Sequence, residues 1–175
     1  MSKTIGLFFG TDTGFTEVAS EKIIELMGED VIDKHDVYDA SPSDFIPYDY
    51  LILGLSTWYD GELQSDWESF FDEFKTIDFK GKHVAIFGLG DQFSYADTFI
   101  DGVGIIGKVV LENGGVLWGK WPTEGYGHDA SVAELEEGVF CGLAIDEDNE
   151  AHLSDQRIQQ WVKQVMSEFK LPVPQ

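Results

Sequence analysis

Short apolar runs of strand length recur along the chain, each separated from the next by a stretch with helical spacing. Ile5-Gly6-Leu7-Phe8-Phe9, Leu51-Ile52-Leu53-Gly54-Leu55 and Val84-Ala85-Ile86-Phe87-Gly88-Leu89 are continuous rather than alternating, the pattern of strands buried on both faces. Val31–Val37 is a weaker strand near a sheet edge, and Val116-Leu117-Trp118 begins a fifth. Phe15, Val18, Ala19, Lys22, Ile23, Leu26 and Met27 predict a first helix, and Trp67, Phe70, Phe71 and Phe74 a second. Phe99, Val103, Ile106, Val109 and Val110 predict a third. The last is expected from Ser154 as N-cap, through Ile158, Trp161, Val162, Val165, Met166 and Phe169, to a stop at Pro172 and Pro174. Strands alternating with helices imply an α/β fold: a five-stranded parallel sheet with helices on both faces, joined by right-handed crossovers. The 175 residues read as a single domain, 1–175, with an excursion over 119–142 inside the fifth strand.

Charge narrows the partners. Eleven Lys+Arg against 33 Asp+Glu give a net charge of -22, which excludes a duplex-binding or anionic-membrane-binding surface, since both need cations to neutralise phosphates. The 13 Phe, 6 Tyr and 5 Trp exclude an acidic disordered tail. Cys141 is the only cysteine, the four histidines have no metal spacing, and no segment approaches a membrane span. Met1–Gly6 shows no signal peptide, so the expectation is a soluble, cytoplasmic monomer.

Ligands of open parallel sheets bind beyond the carboxyl ends of the strands. Three loops lie there. Gly10-Thr11-Asp12-Thr13-Gly14-Phe15-Thr16 joins a buried strand to a helix start, where glycines let amides converge and the dipole favours an anion. It lacks the lysine of a Walker loop and the G-x-G-x-x-G spacing of a dinucleotide fingerprint, so it suits a phosphate that is held and not transferred. The other two loops, from Ser56 to Glu62 and from Gly90 to Asp97, bring Trp58 and Tyr95 to the ligand end, where they can stack on a planar ring.

With Thr57–Trp67 and Gly90–Asp97, the first loop resembles the three cofactor loops of flavodoxins. The excursion from Trp121 to Asp148 resembles the insertion of the long-chain bacterial and cyanobacterial members. The resemblance implies a flavodoxin-like three-layer sandwich with strand order 2-1-3-4-5 and a noncovalent FMN. Thr11, Asp12, Thr13, Gly14, Phe15 and Thr16 would hold its phosphate, and Ser56, Thr57 and Asp146 would lie near the ribityl chain. Trp58 and Tyr95 would cover the two ring faces, with Tyr59, Asp60, Gly61, Leu89, Gly90, Asp91 and Thr98 at the polar edge. Phe15 stands where the family usually has Asn or Lys, and Ser56 replaces a frequent Pro.

The implied function is a low-potential one-electron carrier shuttling between semiquinone and hydroquinone, not an enzyme. A turning 59–60 peptide would serve the flavin N5. Partners would be proteins with basic docking faces: a reductase of the ferredoxin/flavodoxin-NADP type and low-potential acceptor enzymes, received on the acidic Trp67–Glu73 helix. The alternative is an FMN-dependent NAD(P)H oxidoreductase on the same fold, which needs room for nicotinamide that Trp58 and Tyr95 obstruct. A phospho-accepting receiver domain needs an Asp at the end of the third strand, where this chain has Leu55-Ser56-Thr57.

Overall fold

The computed structural model describes residues 4–171. The Met1–Lys3 part of the signal-peptide reading and the prolines expected to stop the last helix, Pro172 and Pro174, lie outside the described residues.

Strands β1 (Ile5–Phe9), β2 (Ile32–Asp36), β3 (Tyr50–Trp58), β5 (His83–Leu89) and β6 (Val116–Trp118) form a parallel sheet in the order β2-β1-β3-β5-β6. A two-residue strand, β4 (Glu62–Leu63), pairs antiparallel with the end of β3. With β4 set aside the order is the expected 2-1-3-4-5. β1 is buried along its whole length and β3 from Leu51 to Leu55, whereas β2 alternates, as an edge strand does.

The fifth strand is split. β6 pairs with His83–Ala85, and the chain then leaves the sheet through the hairpin β7 (Trp121–Pro122) and β8 (Val139–Phe140). It re-enters as β9 (Leu143–Ile145) against Phe87–Leu89.

Helices α1 (Phe15–Met27) and α4 (Glu147–Phe169) pack together on one face. Helices α2 (Ser65–Phe74) and α3 (Asp101–Glu112) cover the other. The register shows why: Phe87 meets Trp161 of α4, while the next residue, Gly88, faces Val103 of α3, since neighbours along a strand point to opposite faces. Phe8, on the α3 side, stacks on Phe45, which in turn stacks on Phe70 of α2.

Two helix starts differ from expectation. Phe99 lies before α3, buried in a turn against Tyr126, His128 and Phe140, because the helix begins only at Asp101. The last helix begins at Glu147 and not after Ser154. Asp146 is its cap, accepting the Asn149 amide at 3.0 Å, and a non-helical Glu150 (φ -134°, ψ 40°) interrupts the first turns. Ser154 is buried inside the helix, its hydroxyl without a partner among the described residues.

Trp67 fastens α2 to the sheet: its indole N–H donates to the Gly54 carbonyl at 2.9 Å, and that carbonyl also accepts the Gly10 amide at 3.1 Å. Gly54 itself has no room for a side chain, since a Cβ would overlap the Phe87 ring. Gly54→Ala is expected to lower stability by about 1–3 kcal/mol through overpacking, read as a lower urea midpoint with unchanged slope.

Candidate functional site

The pairings Phe9↔Gly54, Gly54↔Phe87 and Ser56↔Leu89 place the three loops side by side on one crest of the sheet. The first loop enters α1 through Gly14, which is left-handed (φ 93°) and has no side chain to cap the helix. Thr11 Oγ1 accepts the Gly14 amide at 2.9 Å, which leaves the hydroxyl proton free to be donated outward. The amides of Asp12, Thr13, Phe15 and Thr16 have no acceptor among the described residues. Asp12 does not oppose this positive end, because its carboxylate accepts from Ser65 Oγ (2.6 Å) and Gln64 Nε2 (3.0 Å) at the start of α2. The result is a set of unsatisfied donors at a helix N-terminus, with Thr16 buried behind them and Phe15 exposed.

The second loop is the turn of the β3–β4 hairpin. Tyr59 (φ 48°) and Gly61 (φ 91°) both take left-handed backbone there; this suits the glycine but is uncommon for a tyrosine. Trp58 is half-buried and its Nε1 has no partner among the described residues; its ring lies 6.3 Å from that of Tyr59, tilted 47°. Tyr59 is 62% exposed and its carbonyl accepts from Thr98 Oγ1 at 3.4 Å, which joins the second loop to the third. Ser56 and Thr57 line the strand end, and Thr57 Oγ1 accepts the Gly102 amide at 2.9 Å. Asp60 projects from the turn into solvent.

At the start of the third loop Leu89 is buried, and the Gly90 amide donates to the Ile145 carbonyl. Tyr95 is 42% exposed, a ring held out from the core. Asp91 Oδ1 accepts the amides of Phe93 and Ser94 and the Asn149 side chain. Burial would raise the Asp91 carboxyl, but the hydrogen bonds from Ser94, Asn149 and Phe93 outweigh it and hold the group below the usual carboxylate range. Asp146, expected beside a ligand chain, is fully buried, and its oxygens are taken by Asn149 and Gln92. It reaches the site through the loop that it holds.

Sequence reasoning missed three residues. Gln64 caps α2, accepting the Trp67 amide, and its position one residue before a Ser-Asp-Trp helix start was the available signal. Gln92 is buried within the third loop. Asp101, the first residue of α3, is only 7% exposed; Oδ1 accepts the Val132 amide at 2.9 Å, and a Cβ on Gly61 would lie 2.6 Å from Oδ2. Burial raises the Asp101 carboxyl. Nothing in sequence marked a carboxylate so placed.

None of the carboxylates of Asp12, Asp60, Glu62, Asp66, Asp91 and Asp97 is paired with a Lys or Arg among the described residues. The described residues hold no cluster of His, Cys, Asp and Glu suited to a metal ion. Cys141 is a buried free thiol, pushed up to about 11 by burial and held in the neutral form.

A doubly wound sheet with an amide-lined loop and two aromatic loops on its crest has the architecture of open α/β proteins whose ligands bind beyond the carboxyl ends of the strands. Known proteins give it a narrower place. The family model "Flavodoxin" matches residues 7–161. The flavodoxin of a Nostoc species is 51% identical over 171 residues, covering 98% of this chain and all of that one. The Haemophilus influenzae flavodoxin is 46% identical over 167 residues, covering 95% of this chain and 96% of that one. Among solved structures, Fusobacterium nucleatum flavodoxin bound to flavin mononucleotide superposes with a TM-score of 0.89 at 31% identity, covering 95% of this chain and 98% of that one. The chain belongs to the flavodoxin family.

Asp101→Asn is expected to raise the unfolding midpoint at neutral pH. The folded pKa of Asp101 lies above its unfolded value, so its contribution to stability is complete below the unfolded value of about 3.9 and is lost as pH rises through the folded one. The advantage of the variant over the parent should therefore grow from acid to neutral pH, read in thermal melts at a series of pH values.

Proposed function

We propose that this protein is an FMN-dependent electron-transfer protein, not an enzyme, carrying electrons one at a time at low potential between redox partner proteins. The observation that carries the reading is the first loop, with four amides lacking acceptors among the described residues at the start of α1 and no Lys or Arg within Gly10–Thr16. That donor set suits a permanently held phosphate, and the loop carries no lysine of the kind that assists phosphate transfer.

The residues present fit the cofactor. Gly14 opens on free space, with nothing within 4 Å of the position its Cβ would take. Trp58 has an indole N–H in want of an acceptor, and Tyr59 and Tyr95 stand out from the core beside it. Thr11 through Thr16 would hold the phosphate, and Ser56 and Thr57 would lie along the ribityl chain. Trp58 and Tyr95 would flank the ring, with the backbone of Tyr59, Asp60, Gly61, Leu89, Gly90 and Asp91, and with Thr98, at its polar edge. When bound, the flavin supplies the capacity to accept and release single electrons.

The chain sets the environment in which that happens. The two aromatic loops exclude water. The unpaired carboxylates around the crest disfavour added negative charge: each at about 10 Å costs ~0.4–1.7 kcal/mol for effective dielectrics of ~80 to 20, less salt screening. Gly61, already at positive φ, lowers the steric cost of turning a peptide in the second loop.

The same acidity favours partners with basic faces, steered onto α2, which begins two residues after β4 ends and carries Glu68, Asp72 and Glu73 along its length. We take 1–175 as one domain, with 119–142 as an insertion within it, and place the protein in the cytoplasm as a monomer. One contiguous core supports the single domain. No helix among the described residues is long and apolar enough to cross a membrane. Nothing on the crest favours the NAD(P)H oxidoreductase alternative.

Tyr95→Ala is expected to weaken FMN binding about tenfold or more, the scale of a lost stacking contact, and to raise the lower potential of the bound flavin. Fluorescence titration and potentiometry read the two effects, and unchanged values of both would remove the stacking account. Raising NaCl from about 0.05 to 0.5 M should slow reduction by a basic partner several-fold in stopped flow; a flat response would contradict steering.

A further inference from the structure

Tyr95 and Asp91 sit in a loop of successive turns, joined by its own bonds from the Tyr95 amide to the Asp91 carbonyl and from the Thr98 amide to the Tyr95 carbonyl, and its place on the crest depends on contacts outside it. Gln92 lies between them and is 1% exposed. Its backbone amide donates to Asp146 Oδ2 at 3.2 Å, and its side-chain Nε2 donates to the same oxygen at 2.7 Å. Nε2 also donates to Glu150 Oε1 at 2.5 Å, and the Gln92 Oε1 accepts the Gly127 amide at 2.6 Å. Each polar group of this side chain is thus engaged, and the three partners lie in two separate parts of the fold: the start of α4 and the segment between β7 and β8.

The partners are themselves fixed. Asp146 is fully buried and caps α4. Glu150, at the non-helical position, also accepts Arg157 Nη2 at 3.1 Å. The Phe93 ring lies against Gly127, where a Cβ would come within 2.5 Å of it. A buried polar group this fully satisfied specifies one arrangement, since any shift of the loop strands several donors at once.

We propose that Gln92 is a positioning residue for the cofactor site: by bridging Asp146, Glu150 and Gly127 it holds the 91–98 loop in the one conformation that presents Asp91 and Tyr95 to the flavin. The inference rests on the FMN reading above. Without the bridge the loop populates other conformers, and apparent affinity falls in proportion to the competent fraction.

The test uses the full chain with Gln92→Met, which keeps length and removes the polar atoms. Asp146→Asn is the second variant, which keeps a helix cap but turns one acceptor oxygen into a donor. Amide hydrogen exchange is measured on the FMN-free proteins, and FMN is the titrant for the dissociation constant. Gln92→Met is expected to raise the dissociation constant roughly tenfold, the size of effect from losing hydrogen bonds of about this strength. Exchange should accelerate at residues 91–98 in both variants while β1, β3 and β5 keep the parent's protection. An FMN affinity within twofold of the parent for Gln92→Met overturns the proposal. So does exchange that rises evenly along the chain, which would make Gln92 a general stabiliser. If Gln92→Met does not fold, the exchange pattern of Asp146→Asn decides alone. Failure of the parent itself to bind FMN would refute the functional reading instead, so the two failures are distinct.

Discussion

Unsatisfied backbone donors at the start of a helix are the constraint on which the crest depends. The first four amides of any helix lack intrahelical partners, and most chains cap them with a side chain. Here the cap is Gly14, which has none to offer, while Thr11 Oγ1 is spent on the Gly14 amide and Asp12 is turned away toward Ser65 and Gln64. The loop is held in shape by its own contacts yet left open toward solvent. What it offers an anion is a set of dipoles fixed by the fold and not a flexible cation.

The surrounding charge follows the same logic. With a net charge of -22, the molecule repels anions almost everywhere, and the amide loop offers locally what the side chains withhold. Acidic groups near the crest are controlled one by one. Asp91 is held ionised by neighbouring donors, whereas Asp101 resists ionisation in its buried position under the second loop. Under the proposed function, a carrier built in this way would hold a phosphate and still disfavour added electrons on the ring beside it.

The alternation of buried strands with amphipathic helices was readable because it repeats a strong physical pattern, and the split fifth strand showed itself in two apolar fragments, Val116–Trp118 and Leu143–Ile145. The loops were legible through glycine, threonine and aromatic residues at strand ends. The start of α4 was not: Ser154 stands before the apolar stripe and marked the expected cap, whereas the observed one, Asp146, lies eight residues earlier, ahead of a polar first turn and a non-helical Glu150 that break the periodicity. Asp101 and Gln92 were hidden for a related reason. Their roles lie in contacts with Val132 and Gly127, more than 30 positions away, and neither helical nor strand periodicity encodes such pairings.

The amide loop can be isolated experimentally by removing the phosphate from the ligand while keeping the ring. Calorimetric titration of the cofactor-free protein with FMN and with riboflavin, under identical conditions at low phosphate, compares the two directly. The account predicts binding of FMN at least about a hundredfold tighter than riboflavin, equivalent to ~2.7 kcal/mol held by the first loop. Equal affinities for the two would contradict it.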